Sequence, residues 1–161
     1  MRLYPIDGST LPGRQNGGCM TDSKQVMPSA EVVVEVPFHD VDMMGVAWHG
    51  HYAKYCEIAR CALLDTFAYN YREMEESGYS WPVIELKLRY AHPARMGQKI
   101  RVKATLREFE LHLKIDYLIT DDETGTRLSK GHTIMVPVDL STEKMLFGSP
   151  PVLYEKLGIA P

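Results

Sequence analysis

Cysteine is scarce in this chain and follows no pairing pattern. The 161 residues hold three cysteines, Cys19, Cys56 and Cys61, an odd number without Cys-x-x-Cys spacing. Cys56 and Cys61 would stand about 140° apart around a helix, so geometry disfavours a bridge between them. A reducing, cytoplasmic setting is the simplest expectation. No apolar run approaches the roughly 20 residues that cross a bilayer. The N-terminal stretch also lacks the apolar centre of a signal peptide. Charge of one sign is missing: 18 Lys and Arg against 21 Asp and Glu leave a net −3. That balance offers no general attraction to nucleic acid or to an anionic membrane, so an anionic ligand must meet a local basic cluster. The sequence has no Gly-x-Ser-x-Gly elbow, no P-loop and no Gly-rich dinucleotide fingerprint, which argues against a serine hydrolase or a nucleotide enzyme. It also shows no repeat at a fixed period.

What is present suits one globular domain. Hydrophobic residues make up 45% and charged residues 24%, and a chain of this length needs no disulfide or metal to hold its core. Residues 1–30 carry turn formers such as Gly8, Pro12, Gly13 and Pro28 without any period, and read as a flexible tail. Residues 31–161 read as the domain. Glu31 to Val36 is β-branched and short, which predicts a strand. After a loop, Tyr52, Tyr55, Cys56, Ala59, Ala62, Leu63, Thr66 and Phe67 recur at helical spacing and form one stripe. Lys54, Glu57, Cys61 and Asp65 fall opposite. Asn70 to Ser77 predicts a short polar helical turn stopped by Gly78.

The remainder is β. Ile84, Leu86, Leu88 and Tyr90 alternate against Glu85, Lys87 and Arg89. Two further strands repeat the pattern over Ile100 to Leu106 and Leu113 to Ile119. Arg127 to Leu140 predicts one long strand, and Pro150 and Pro151 introduce a terminal helix. A strand, a long helix and a run of strands imply an α+β domain, with an antiparallel sheet packed on the helix.

The chemistry is concentrated between the first strand and the helix, in Phe38-His39-Asp40-Val41-Asp42-Met43-Met44-Gly45-Val46-Ala47-Trp48-His49-Gly50-His51-Tyr52. Gly45 admits backbone angles closed to other residues and lets a ligand approach. The helix start that follows has unpaired N–H groups and the positive end of the dipole, which favour developing negative charge. A carboxylate beside such donors can attack a polarised carbonyl or direct water at it.

The pattern Asp-x-Asp-x-x-Gly-x-x-x-His-x-x-Tyr, here Asp40, Asp42, Gly45, His49 and Tyr52, resembles the signature of the 4-hydroxybenzoyl-CoA thioesterase-like family. Tyr55, Glu57, Ala59 and Arg60 resemble its central helix. Tyr90, Pro93, Ala94 and Gly97 match a recurrent turn before its third strand. The resemblance runs from about Val32 to Val138 and implies a hotdog fold, one long helix wrapped by an antiparallel sheet of about five strands. It implies hydrolysis of an acyl-CoA or acyl carrier protein thioester without a cofactor. Asp42 takes the place of the catalytic carboxylate, as nucleophile or as general base. The backbone N–H of His49 takes the place of the oxyanion donor, and its imidazole stands where some members orient substrate. Gly45, Trp48, Gly50 and His51 fall in the substrate-binding stretch, with Trp48 a candidate lining of the acyl tunnel. The family further implies a homodimer or homotetramer with the site at the dimer interface. Met43-Met44 and His51 depart from the family's smaller residues, which puts the pocket, not the reaction, in question.

Other readings of the same residues stand beside these. Asp40 serves the loop as a hydrogen-bonded structural carboxylate. His39, Asp42, His49 and His51 match no strong metal spacing, and no metal site is assigned. Tyr52, Tyr55 and Phe67 belong to the core stripe. Lys87, Arg89, Arg95, Lys99, Arg101 and Lys103 either hold CoA phosphates or keep an exposed strand face soluble. Cys56 has no base partner and is not a nucleophile candidate. A hotdog dehydratase or hydratase, and a non-catalytic acyl-thioester-binding module, are the rival functions. No nucleic-acid-binding element is evident.

Overall fold

The computed structural model describes residues 27–160. The tail expectation for residues 1–26 lies outside the described residues. Order begins earlier than Glu31: strand β1 is Ser29–Glu35, and Ser29 already pairs with Thr105. The strand alternates, with Ala30, Val32 and Val34 turned toward the core and Glu31, Val33 and Glu35 exposed.

A 3-10 turn at Phe38–Asp40 leads through the loop to helix α1, His51–Asp65. Its buried residues are Tyr52, Tyr55, Cys56, Ala59, Arg60, Leu63 and Leu64. The apolar stripe expected from the sequence is therefore shifted: Ala62 is half-buried and Thr66 exposed, while Arg60 is buried. A guanidinium tolerates this only when its donors are met. Arg60 Nε donates to the Tyr71 hydroxyl at 2.8 Å and its Nη2 pairs with Glu57. Helix α2, Tyr71–Glu76, opens on a capping box in which Asn70 and Glu73 satisfy each other's backbone, and Gly78 at φ +89 follows it.

The strands after the helices are β2, Tyr79–Ser80; β3, Val83–Tyr90; β4, Lys99–Glu108; β5, Leu113–Asp121; β6, Arg127–Met135; β7, Val138–Asp139; and β8, Lys144–Met145. Helix α3, Pro151–Leu157, closes the domain, with proline in its first turn and Gly158 in the left-handed region after it. The main sheet has the order β1-β4-β5-β6-β3, and each neighbouring pair is antiparallel. Helix α1 packs on β1 and β4. The fully buried core lies between them, with Tyr55, Leu63, Ile100, Val102, Leu106, Leu113, Ile115 and Ile119 at its centre.

Two expectations about strands are corrected. The run from Arg127 to Leu140 is not continuous: β6 ends at Met135 and the chain resumes as β7 in a second sheet of order β2-β7-β8. Pro137, which has no N–H for a ladder, sits at the break. The alternation of β3 does not bury either face within one chain. Ile84 is 62% exposed, Leu86 45% and Tyr90 49%, because β3 is an edge strand of the sheet.

Candidate active site

Asp40 anchors the loop. It is 1% exposed, with Oδ2 accepting the Tyr55 hydroxyl at 2.8 Å and the Lys54 ammonium bound to both oxygens. Burial pushes this carboxyl up, but the hydrogen bonds from Lys54 and Tyr55, with the charges of Lys54 and His51, outweigh it. The net effect holds Asp40 below the usual carboxylate range. Its main-chain oxygen accepts the Trp48 N–H at 2.9 Å, so one residue ties both ends of the loop to the helix.

Inside that clamp the chain makes a tight turn. The N–H of Asp42 donates to Val46 O, and the N–H of Gly45 donates to Asp42 O, both at 2.9 Å. Gly45 sits at φ +70, where a side chain would be strained. The far side of the turn is pinned to residues 94–96: the Ala47 N–H donates to Ala94 O at 2.8 Å, and Val46 bridges Arg95. The turn carries the Asp42 carboxylate outward. Oδ1 accepts the Met44 N–H at 2.8 Å, and Oδ2 has no hydrogen-bond partner among the described residues.

Helix α1 begins beside this carboxylate with no side-chain cap, Gly50 being the N-cap residue. The His51 N–H donates to Trp48 O at 2.9 Å, whereas the N–H groups of His49 and Gly50 have no partner among the described residues. Asp42 and His49 line one cleft of about 290 Å3, with Tyr52, Tyr90, His92 and Pro93 among its walls. Asp42 and the first residues before α1 thus share a single concavity through His49.

The other expected site residues surround the cleft without lining it. Gly45 shapes the turn. His51 points to Asp40, with Nδ1 at 3.9 Å from its carboxylate. The Trp48 ring covers Gly50, and a Cβ placed there would lie 2.1 Å from it, so a side chain at Gly50 would have to displace the indole. That ring also stands 4.7 Å from the His49 ring and 5.4 Å from the His51 ring, between centroids. His39 is likewise turned to Asp40, at 3.6 Å.

Tyr90 and His92 are cleft residues that sequence reasoning did not assign. Tyr90 ends the alternation of β3 and His92 sits in the turn that follows, and neither an alternation nor a turn motif says which side chains face a distant helix. His92 Nδ1 lies 3.0 Å from Arg127 O. Tyr52 is in the core as expected and is also the cleft floor, its hydroxyl accepting the Ala94 N–H at 3.0 Å. Cys56 is buried, and burial pushes its thiol up to about 12, which leaves it inert at neutral pH.

The basic residues divide. Lys87, Arg89 and Lys103 join Arg107, Lys130 and His132 around a separate groove of about 610 Å3 on the outer face of the sheet. Strand alternation sets Lys87 and Arg89 on the side of β3 opposite Tyr90. Arg101 instead pairs with Glu31 at 3.1 Å and Asp122 at 2.7 Å.

One long helix wrapped by a five-stranded antiparallel sheet, with a carboxylate at the helix start, is a hotdog-fold domain. Its backbone matches the 1,4-dihydroxy-2-naphthoyl-CoA thioesterase Slr0204 of Synechocystis at TM-score 0.71 and 20% identity, covering 81% of this chain and 96% of that one. It matches the DHNA-CoA thioesterase of Staphylococcus aureus at the same TM-score and 26% identity, covering 81% and 89%. In sequence it is 29% identical over 151 residues to a Synechocystis sp. protein, sll0410, provisionally named an esterase, covering 91% of each chain. The chain belongs to the thioesterase-like superfamily, which matches residues 36–157.

Proposed function

We propose that this protein hydrolyses an acyl thioester of CoA or of acyl carrier protein, with Asp42 at the reacting carbon. The observation that carries this reading is the shared cleft: the outward carboxylate of Asp42 and the start of α1 at His49 line one concavity. The thioester carbonyl lies over the helix start, where the N–H of His49 accompanies the oxygen as it becomes anionic. Loss of one such donor typically costs ~10²–10³ in rate. Asp42 attacks the carbonyl carbon, or takes a proton from a water that does. The C–S bond breaks, and the thiolate leaves with its electron pair and is protonated by solvent. In the first route water then cleaves the acyl anhydride and restores the carboxylate. The His49 imidazole contacts the substrate from the cleft wall. Trp48, Gly50 and His51 act from behind, by shaping the helix start.

Both carriers stay in the proposal because relatives are named for both. An Arabidopsis thaliana protein named for acyl-acyl carrier protein hydrolysis is 33% identical over 76 residues, 47% of this chain and 40% of its own.

A second copy completes the site. β3 is an uncapped sheet edge with Ile84 and Leu86 exposed, and such an edge invites another strand. The cleft opens at the end of that strand, so a copy paired there also walls the cleft. The free thiols Cys56 and Cys61 accord with a cytoplasmic setting.

The deciding assay is thiol release from aliphatic and aromatic acyl-CoAs and an acyl carrier protein thioester, with wild type and Asp42→Asn in parallel. Release by wild type and a loss of at least ~10² in the variant is the expected result. No release from any thioester would overturn the reading. Loss of water from a hydroxyacyl thioester without thiol release would identify a dehydratase, with His49 or His51 and an Asp as its acid–base pair. Binding without turnover would identify an acyl-thioester-binding module.

A further inference from the structure

The start of α1 has no capping side chain, yet its donors need a fixed aim. Gly50 contributes none, and the hydrogen bonds from Trp48 to Asp40 and from His51 to Trp48 do not engage the intervening His49–Gly50 peptide. Among the described residues, one side chain hydrogen-bonds to that peptide. The Tyr90 hydroxyl donates to the carbonyl oxygen of His49 at 2.9 Å, across 41 positions of sequence.

Tyr90 is itself held. Its ring meets the Tyr52 ring edge-on, with centroids 5.0 Å apart and planes at 82°. Tyr52 is 2% exposed and is tied through its hydroxyl to the Ala94 N–H. Burial, then the neighbouring Tyr52 and Cys56, raises the Tyr90 hydroxyl above the ordinary phenol range, so it remains a donor at any working pH. The chain of contact therefore runs from the 91–98 loop, through the first turn of α1, to the end of β3, and back to the helix start.

We propose that Tyr90 is a positioning residue that fixes the oxyanion donor, the His49 N–H, through the carbonyl of the same residue. A trans peptide is planar, with its C=O and N–H antiparallel, so holding the oxygen of His49 sets the direction of the Gly50 N–H. It also limits rotation about the His49 backbone, and with it the neighbouring His49 N–H. The inference rests on the reading of the helix start as the oxyanion site and adds the residue that aims it.

The test is Tyr90→Phe, which keeps the ring on Tyr52 and removes only the hydroxyl. Five quantities are measured beside wild type and Asp42→Asn: kcat and KM on the best acyl-CoA, affinity for its trifluoromethyl ketone analogue, affinity for its non-hydrolysable thioether, and the melting temperature. The ketone forms a tetrahedral oxyanion and the thioether does not. The expected result is a kcat lower by about ten-fold, within what one neutral hydrogen bond supplies and below the loss of a donor outright. KM stays within about two-fold, ketone affinity falls with kcat, thioether affinity holds and the melting temperature is unchanged.

Unchanged kcat would overturn the inference. Equal losses of ketone and thioether affinity would make Tyr90 a pocket wall instead, and a melting temperature falling in step with activity would make it a structural residue. If wild type hydrolyses thioesters, Asp42→Asn does not, and Tyr90→Phe matches wild type, the Tyr90 inference falls alone. If wild type hydrolyses none, the proposed function falls and takes this inference with it.

Discussion

The main-chain N–H of Met44 donates to Oδ1 of Asp42 at 2.8 Å, two residues away. This Asx-type contact orients the carboxylate without consuming its second oxygen. Asparagine can accept the same bond through its amide oxygen but carries no charge. Asp42→Asn should therefore keep the melting temperature of wild type within about 2 °C while losing at least ~10² in turnover. Asp42→Ala should lose activity as deeply and some stability as well. Calorimetry and thiol release on the pair separate charge from turn geometry, and a fully active asparagine variant would remove Asp42 from the mechanism.

Asp40 is expected to act on stability first. Its depressed carboxyl means that its contribution is complete above the unfolded-state value near ~3.9 and fades as pH falls through the lower folded-state value. Asp40→Asn leaves Tyr55 an acceptor but removes the charge facing the half-exposed Lys54. A loss of about 2–3 kcal/mol at neutral pH follows for a charge-assisted buried contact. Urea unfolding at neutral and acid pH checks both parts: the gap between wild type and variant should narrow on acidification. A gap constant with pH would contradict the assignment.

Gly45 at φ +70 meets no neighbour within 4 Å where a Cβ would stand. Any penalty for substitution is therefore backbone strain alone, about 1–2 kcal/mol for alanine. Asparagine, which tolerates the left-handed region, should cost less. Gly45→Ala and Gly45→Asn compared by denaturation and by kcat give the order directly; equal costs would point to sterics instead.

The β3 edge makes a prediction about mass. Wild type should run as a dimer or a tetramer by size exclusion with light scattering. Ile84→Lys with Leu86→Lys should shift it toward the monomer and lower turnover, since both side chains already face solvent in one chain. A monomeric wild type that turns over thioester would end the proposal that a second copy completes the cleft.

How much of this was legible in the sequence depended on whether one chain decides the matter. Helix α1 and strands β4 and β5 were readable because each buries one face inside the domain, and burial is what writes a period. Arg60 broke the pattern because its guanidinium is satisfied by Glu57 and Tyr71, a pairing that hydrophobic periodicity does not record. β3 alternates as cleanly as β4, but alternation shows only that two faces differ, not that this chain covers either. The two-residue strands β2, β7 and β8 are too short to carry any period. At the site, the motif pointed to Asp42 and His49, and both line one cleft. The packing of Trp48 over Gly50 and the reach of Tyr90 to His49 are contacts between shapes, for which sequence spacing holds no signal.

The indole over Gly50 gives the molecule an optical property. The chain has two tryptophans: Trp81 is 4% exposed with its N–H directed at the Tyr69 hydroxyl, while Trp48 is 47% exposed at the mouth of the loop. One emitter is shielded from water and the other is quenchable, so a change in the long-wavelength part of the intrinsic fluorescence reports on the loop alone. Movement of that loop can thus be followed in the unlabelled protein, with the shielded Trp81 as an internal reference.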